Sequence, residues 1–211
     1  MALILILVLT PDLRTSLMVD FYHEFLANIR IVLPDPVKPI IGTVKQQFSG
    51  GLVLNEDGRW GRNSTTTPQY VGLPSVAIDN AWLDLLSAAQ IVVSGDEAQS
   101  IKSETVEERE GRKYRLSLGV HYALHCVDLV RKAIDFDHYY PTGKTPYFYR
   151  DHVDDCIDYI RQSIQCQGDL TPITYYRRGP DIFPASGATH TCRNFDELNM
   201  WALERRALHL P

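Results

Sequence analysis

His121-Tyr122-Ala123-Leu124-His125-Cys126 and His152-Val153-Asp154-Asp155-Cys156 carry nearly the same chemistry twice. In each, an imidazole stands about one helical turn ahead of a second ligand, His125 in the first and Asp155 in the second, and a thiol follows at once. Residues three or four apart on a helix share a face, with Cβ atoms about 5–6 Å apart. One helix can therefore present two side chains to a single ion. Two such helices side by side offer three imidazoles, from His121, His125 and His152, and one carboxylate, from Asp155. That set suits a metal. His125, His152 and Asp155 alone make the two-histidine, one-carboxylate set of non-haem iron. Without a metal, His125 or His152 is poised near neutral pH as a general acid or base. Asp155 would then orient an imidazole, and Tyr122 or Tyr159 could give up a proton or hydrogen atom. Cys126 and Cys156 are soft enough for copper if they are free thiolates.

These residues need two adjacent helices. The first is expected from about Gly119 to Ile134, with Val120, Leu124, Val127 and Val130 toward a core and His121, His125 and Asp128 on the adjacent stripe. Thr145 with Pro146 behind it predicts the start of the second. Its core stripe reads Tyr149, Val153, Ile157, Ile160 and Ile164, with His152, Asp155, Cys156 and Tyr159 beside it. Upstream, Phe21 to Leu33 reads as a helix and Pro34, Pro36 and Pro39 as an extended linker. Gly42 to Phe48 and Gly51 to Leu54 read as short strands, and Arg59 to Pro74 as a loop holding Trp60 and Tyr70. Ser75 predicts the N-cap of a helix to about Ala89, buried through Ile78, Trp82, Leu85 and Leu86. Ile91–Val93 and Tyr114–Leu118 read as strands, with an exposed polar stretch from Gly95 to Glu110 between them. Ile173–Tyr176 is extended. Asn194 and Glu197 have capping-box spacing for a last helix to Ala207. The class is α+β, helix-rich, with short β segments in a single domain over 40–211. An apolar segment and helix over 1–33 precede it.

Composition narrows the function. At 211 residues, 45% hydrophobic and 22% charged, the chain can bury one good core. A net charge of −5 and the lack of a basic stripe argue against nucleic acid as a partner. The apolar run Met1 to Leu9 is about half of what a bilayer-spanning helix needs, which fits a signal or anchor remnant or a buried strand. Cys126, Cys156, Cys166 and Cys192 contain no CxxC pair, so a zinc ribbon is disfavoured and pairing among the four is expected, with three connectivities open. Asn63-Ser64-Thr65 is a glycosylation sequon. Together these favour the secretory lumen or membrane association through the N-terminus. His190 is a candidate pocket residue, while His23, His138 and His209 read as surface or loop residues.

Tyr70-Val71-Gly72-Leu73-Pro74-Ser75 with Asp79-Asn80-Ala81-Trp82, the stretch His152 to Cys166, and His190-Thr191-Cys192-Arg193-Asn194-Phe195 with Trp201 to Arg206 occur in the order seen in the UstYa-like family. The chain resembles that family of fungal mycotoxin and secondary-metabolite biosynthesis proteins from roughly Gly42 to Ala207. Its hallmark is a pair of HxxHC motifs. The resemblance implies modification of a natural-product scaffold by oxidative cyclisation, hydroxylation, halogenation or desaturation, with copper at the paired motifs. It also implies a membrane-anchoring helix at the N-terminus. Two positions depart from the pattern. The first motif would put His at 122, where Tyr122 stands and His121 lies one place early. The second would put His at 155, where Asp155 stands. His125, Cys126, His152 and Cys156 carry over, whereas His121 and Asp155 only substitute.

Three readings follow. In the first, His121, His125, His152 and Asp155 hold copper, or iron, for an oxidative functionalisation. In the second, the site is a redox-silent cyclase or isomerase, with His125 and His152 as acid/base groups oriented by Asp155 and an apolar, aromatic pocket folding the substrate. In the third, the chain is a non-catalytic partner of another family member. A homodimer is compatible with any of them. Trp60, Tyr70, Tyr122, Tyr147 and Tyr159 fit a sizeable apolar small molecule.

Overall fold

The computed structural model of the chain describes residue 37 and residues 40–207, apart from 56, 63–66, 100, 102, 109–110 and 186. All of these belong to the unit Pro34–Pro211. The expected segment and helix over 1–33, the prolines at 34, 36 and 39, Asn63, His23 and His209 lie outside the described residues.

The elements run β1 (Thr43–Gln47), β2 (Leu52–Leu54), β3 (Trp60–Arg62), α1 (Val76–Leu85), β4 (Ile91–Ser94), β5 (Lys113–Leu116), α2 (Gly119–Ile134), α3 (Phe136–Tyr139), α4 (Tyr149–Gln167), β6 (Tyr175–Arg178), β7 (Asp181–Pro184), β8 (Thr189–Arg193) and α5 (Phe195–Glu204). This is the expected α+β class. The described strands pair two by two, all antiparallel: β2 with β3, β4 with β5, β6 with β7, and β1 with β8. The last pair joins distant parts of the chain, Val44 opposite Cys192 and Gln46 opposite His190. No described helix is long and apolar enough to cross a membrane.

Local chemistry explains the helix ends. Ser75 Oγ accepts from Ile78 N–H at 3.3 Å and caps α1 as expected. Gly168 closes α4 in the left-handed region at φ 52°, a conformation costly for a side chain with a Cβ. Arg131 and Lys132 sit in the last turn of α2, where the helix dipole favours cations. Three expectations are corrected. Helix α1 stops at Leu85 rather than Ala89. Helix α4 begins at Tyr149, because Pro146 carbonyl accepts from Tyr149 N–H in a single tight turn before the helix. The region after Arg59 holds a strand, not only a loop.

The core lies between the β4–β5 pair and α5. Ile91, Val93, Ala98, Leu198, Trp201 and Ala202 are buried there with Val37 and Ala88. Ala98 thus corrects the expected exposure of the 95–110 stretch. Helices α2 and α4 pack along one another, but not through the stripes their apolar spacing suggested. Val127 is 38% exposed, Ile157 50% and Ile164 65%. Buried instead are His121, Cys126, Asp128 and Arg131 on α2 and Cys156 on α4. A covalent bond and polar groups, rather than aliphatic side chains, decide which way this helix pair faces.

Candidate functional site between the two motif helices

The disulfide Cys126–Cys156 joins α2 to α4, with Cα atoms 4.7 Å apart across a sequence separation of 30. Of the three connectivities left open, this fixes one pair. Cys166 and Cys192 are free. Because His125 precedes Cys126 and His152 lies one turn before Cys156, the bond draws one imidazole from each motif together. The ring centroids of His125 and His152 are 5.6 Å apart, tilted by 32°. One ligand atom from each of His125, His152 and Cys156 falls within 4.8 Å of the others. Phe148 walls His152 at 6.2 Å. Burial, then the neighbouring His152, hold the His125 imidazole below its ordinary pKa of 6.5. At neutral pH it is therefore uncharged, the form that ligates a metal or accepts a proton.

Beside the imidazoles stand the two positions that depart from the motif, and they face each other. Tyr122 donates its phenol proton to Asp155 Oδ2 at 3.1 Å. Its ring packs perpendicular to Tyr159 at 4.6 Å and lies 6.0 Å from His125. Tyr159 in turn donates to Gly119 carbonyl at 3.4 Å. Burial, then Asp155, raise the Tyr122 pKa above 10.0, so the phenol keeps its proton and remains a donor. The candidates Tyr122, His125, His152, Asp155 and Tyr159 thus share one flank of the α2–α4 pair.

His121 is turned to other work. It is fully buried, with Nε2 3.0 Å from Asn199 Oδ1 and its ring 5.8 Å from Phe195, both on α5. Its Nδ1 is buried without a hydrogen-bond partner. The group that can meet at one ion contains neither His121 nor Asp155; Cys156 takes the third place. Asp128, expected on the histidine stripe, instead binds Arg131 Nη2 at 2.8 Å and Lys132 Nζ at 2.7 Å. Arg131 continues to Asp79 at 2.8 Å and lies over the Trp82 and Tyr139 rings. Burial alone would raise the Asp79 pKa; the bonds from Tyr139 and Arg131 outweigh it and leave it below 3.8. The Asp79–Trp82 signature is therefore a clamp between α1 and α2. Tyr70 serves the same clamp, its carbonyl accepting from Trp82 Nε1 at 2.7 Å. Trp60 packs edge-on against Phe183 between two hairpins, and Tyr147 is exposed.

His190 also lies apart from the imidazole pair. It is buried on β8 with Nδ1 2.5 Å from Asp169 Oδ2, and Phe48 stacks on it at 3.7 Å. Asp169 is held at a pKa of about 2 by the backbone and side chain of Thr171 and then by His190. Sequence reasoning missed this pair and Asn199. Asp169 two places before Thr171 is an Asx-turn spacing that was there to be read; His190 and Asn199 reach their partners only through the tertiary fold. His138 is exposed, as expected.

The family model described as mycotoxin biosynthesis protein UstYa matches residues 2–205. "UstYa family oxidase phomYd" of Diaporthe leptostromiformis is 34% identical over 186 residues, 81% of this chain and 61% of the relative. "UstYa family oxidase VicYb" of Bipolaris victoriae (strain FI3) is 39% identical over 92 residues, 43% of this chain and 80% of the relative. "Transacylase cctO" of Talaromyces islandicus is 32% identical over 67% of this chain and 53% of its own length. The chain thus spans less than two thirds of the first and third of these relatives. No solved structure matches it.

Proposed function

Because the chain belongs to the UstYa family of mycotoxin biosynthesis proteins, we propose that it is an enzyme of fungal secondary metabolism acting on a natural-product intermediate at the His125–His152 flank of α2 and α4. The reaction is an oxidative cyclisation or functionalisation supported by a metal ion, copper first and iron second. The observation that carries this reading is the convergence of one imidazole from each motif, with ligand atoms within 4.8 Å. The donors fit a copper ion: two imidazoles suit it, and the lowered His125 pKa keeps that ring unprotonated. When bound, copper supplies the one-electron and O₂ chemistry that side chains lack. The chain's own residues do the rest. His125 and His152 would hold the ion, Phe148 offers an apolar wall, and Tyr122, oriented by its hydrogen bond to Asp155, presents a proton donor. Elemental analysis after reconstitution tests the reading. About one equivalent of metal is expected, lost in His125→Ala and His152→Ala; a folded protein that retains none overturns it.

A second reading has its own observation. The two positions where the family pattern carries histidine here carry a phenol hydrogen-bonded to a carboxylate. That is an acid/base pair where ligands are expected, and it favours a redox-silent cyclase or isomerase. Product mass separates the two: loss of two hydrogens or gain of oxygen supports the oxidase, and unchanged mass the isomerase.

A further inference from the structure

Cys156 has two roles that exclude one another. Its sulfur is bonded to Cys126, and the same sulfur lies within 4.8 Å of the His125 and His152 ligand atoms. A disulfide sulfur is a poor donor; a thiolate is among the best for soft metals. His152 and Cys156 are also spaced i, i+4 on α4, so the helix already aims both at one point. We propose that Cys156 is a metal ligand held in reserve by its disulfide, so that the redox state of Cys126–Cys156 decides whether the site presents two donors or three. This rests on the reading that His125 and His152 bind a metal.

The chemistry balances. A dithiol reductant attacks the disulfide through a mixed-disulfide intermediate and supplies two electrons and two protons. Cys126 and Cys156 are left as thiols and the reductant as its own cyclic disulfide. Metal binding then releases the Cys156 proton to solvent. With the bond closed, the chain would offer a metal two imidazoles; with it open, two imidazoles and one thiolate, a softer donor set that favours copper. Both cysteines are fully buried, so exchange requires α2 and α4 to part and the closed state resists casual thiols.

Cobalt(II), which does not oxidise thiols, is the probe, in a Cys166→Ser/Cys192→Ser background that removes the free thiols. The oxidised protein and its Cys126→Ser variant are titrated, and visible and near-ultraviolet spectra are recorded with circular dichroism to verify folding. A thiolate-to-cobalt charge-transfer band is expected in Cys126→Ser and absent from the oxidised protein. Affinity rises on the order of 10–100-fold, since even outer-shell changes at metal sites have effects of that size. The band is lost in Cys126→Ser/Cys156→Ser. If Cys126→Ser does not fold, the oxidised protein opened anaerobically with a small phosphine takes its place. Cobalt bound equally in both forms, with no thiolate band, overturns the reserve ligand and leaves the two-histidine site standing. No cobalt in either folded form overturns both.

Discussion

At the residue scale the informative feature is the contact between the two motif departures. A Tyr at 122 alone would look like a lost ligand, and so would an Asp at 155. Bonded to each other beside the His125 and His152 imidazoles, they form a donor–acceptor pair. The bond is exposed, so Tyr122→Phe should cost under about 1 kcal/mol of stability. A proton handled there contributes about 10²–10⁴-fold to rate. Tyr122→Phe is thus expected to lower turnover of a pathway intermediate by about 100-fold while the melting temperature stays put; a drop below about threefold would remove Tyr122 from proton transfer. The Asp169–His190 pair gives a pH prediction. Asp169 is depressed from 3.8 to about 2 in the folded chain. Its contribution is therefore fully present above its unfolded pKa and lost as pH falls through about 2. Asp169→Asn should melt below wild type at about pH 6, and the gap should close toward about pH 2. A gap that stays constant would mean that the carboxylate charge contributes nothing.

At the element scale, helix α2 was legible almost to the residue, whereas its orientation was not. Val120, Leu124 and Val127 spell an apolar stripe, yet Val127 is over a third exposed. The buried positions went to Cys126, which is bonded across to α4, to Arg131, which reaches Asp79 on α1, and to Asp128, which holds Arg131. Periodicity registers apolar area; it is blind to a disulfide or an ion-pair clamp. The same blindness placed His121 with its neighbours, though its turn of helix faces α5 and Asn199 holds it. The start of α4 was misread because Thr145-Pro146 looks like a cap locally, while the chain makes one more turn before Tyr149. The clamp itself is testable. Arg131→Met leaves Asp128, 6% exposed, with only Lys132 for compensation. Removing one hydrogen-bonded partner from a buried charge that keeps another costs about 1.5–3 kcal/mol, measurable by urea unfolding. Arg131→Met/Asp128→Leu should recover most of that. If the single variant loses less than about 1 kcal/mol, the clamp fixes geometry without stabilising the fold.

Across the described residues, late segments of the chain pair with strands formed much earlier. β8 supplies the partner of β1. The last described residues do the same for β4: Val92 N–H donates to Arg205 carbonyl at 2.8 Å and Ala207 N–H to Gln90 carbonyl at 3.0 Å. Such pairings leave no mark in local sequence, because nothing in Thr43–Gln47 names a strand nearly 150 residues later. Arg205 adds side-chain ties, with Nη2 2.8 Å from Glu97 Oε1 and its guanidinium 4.3 Å over Trp201. Beneath them Ile91 is fully buried. Ending the chain at Glu204 removes the backbone bonds and the ion pair together. Each net bond is worth about 0.5–1.5 kcal/mol, so the truncation should cost about 3 kcal/mol. Arg205→Ala keeps the backbone pairing, and its partly exposed ion pair and stacking account for only about 1 kcal/mol. The difference between the two variants, read from chemical denaturation, isolates the backbone closure. If both lose the same amount, the side chain of Arg205 alone seals β4, and the two backbone bonds do no more than replace bonds to water.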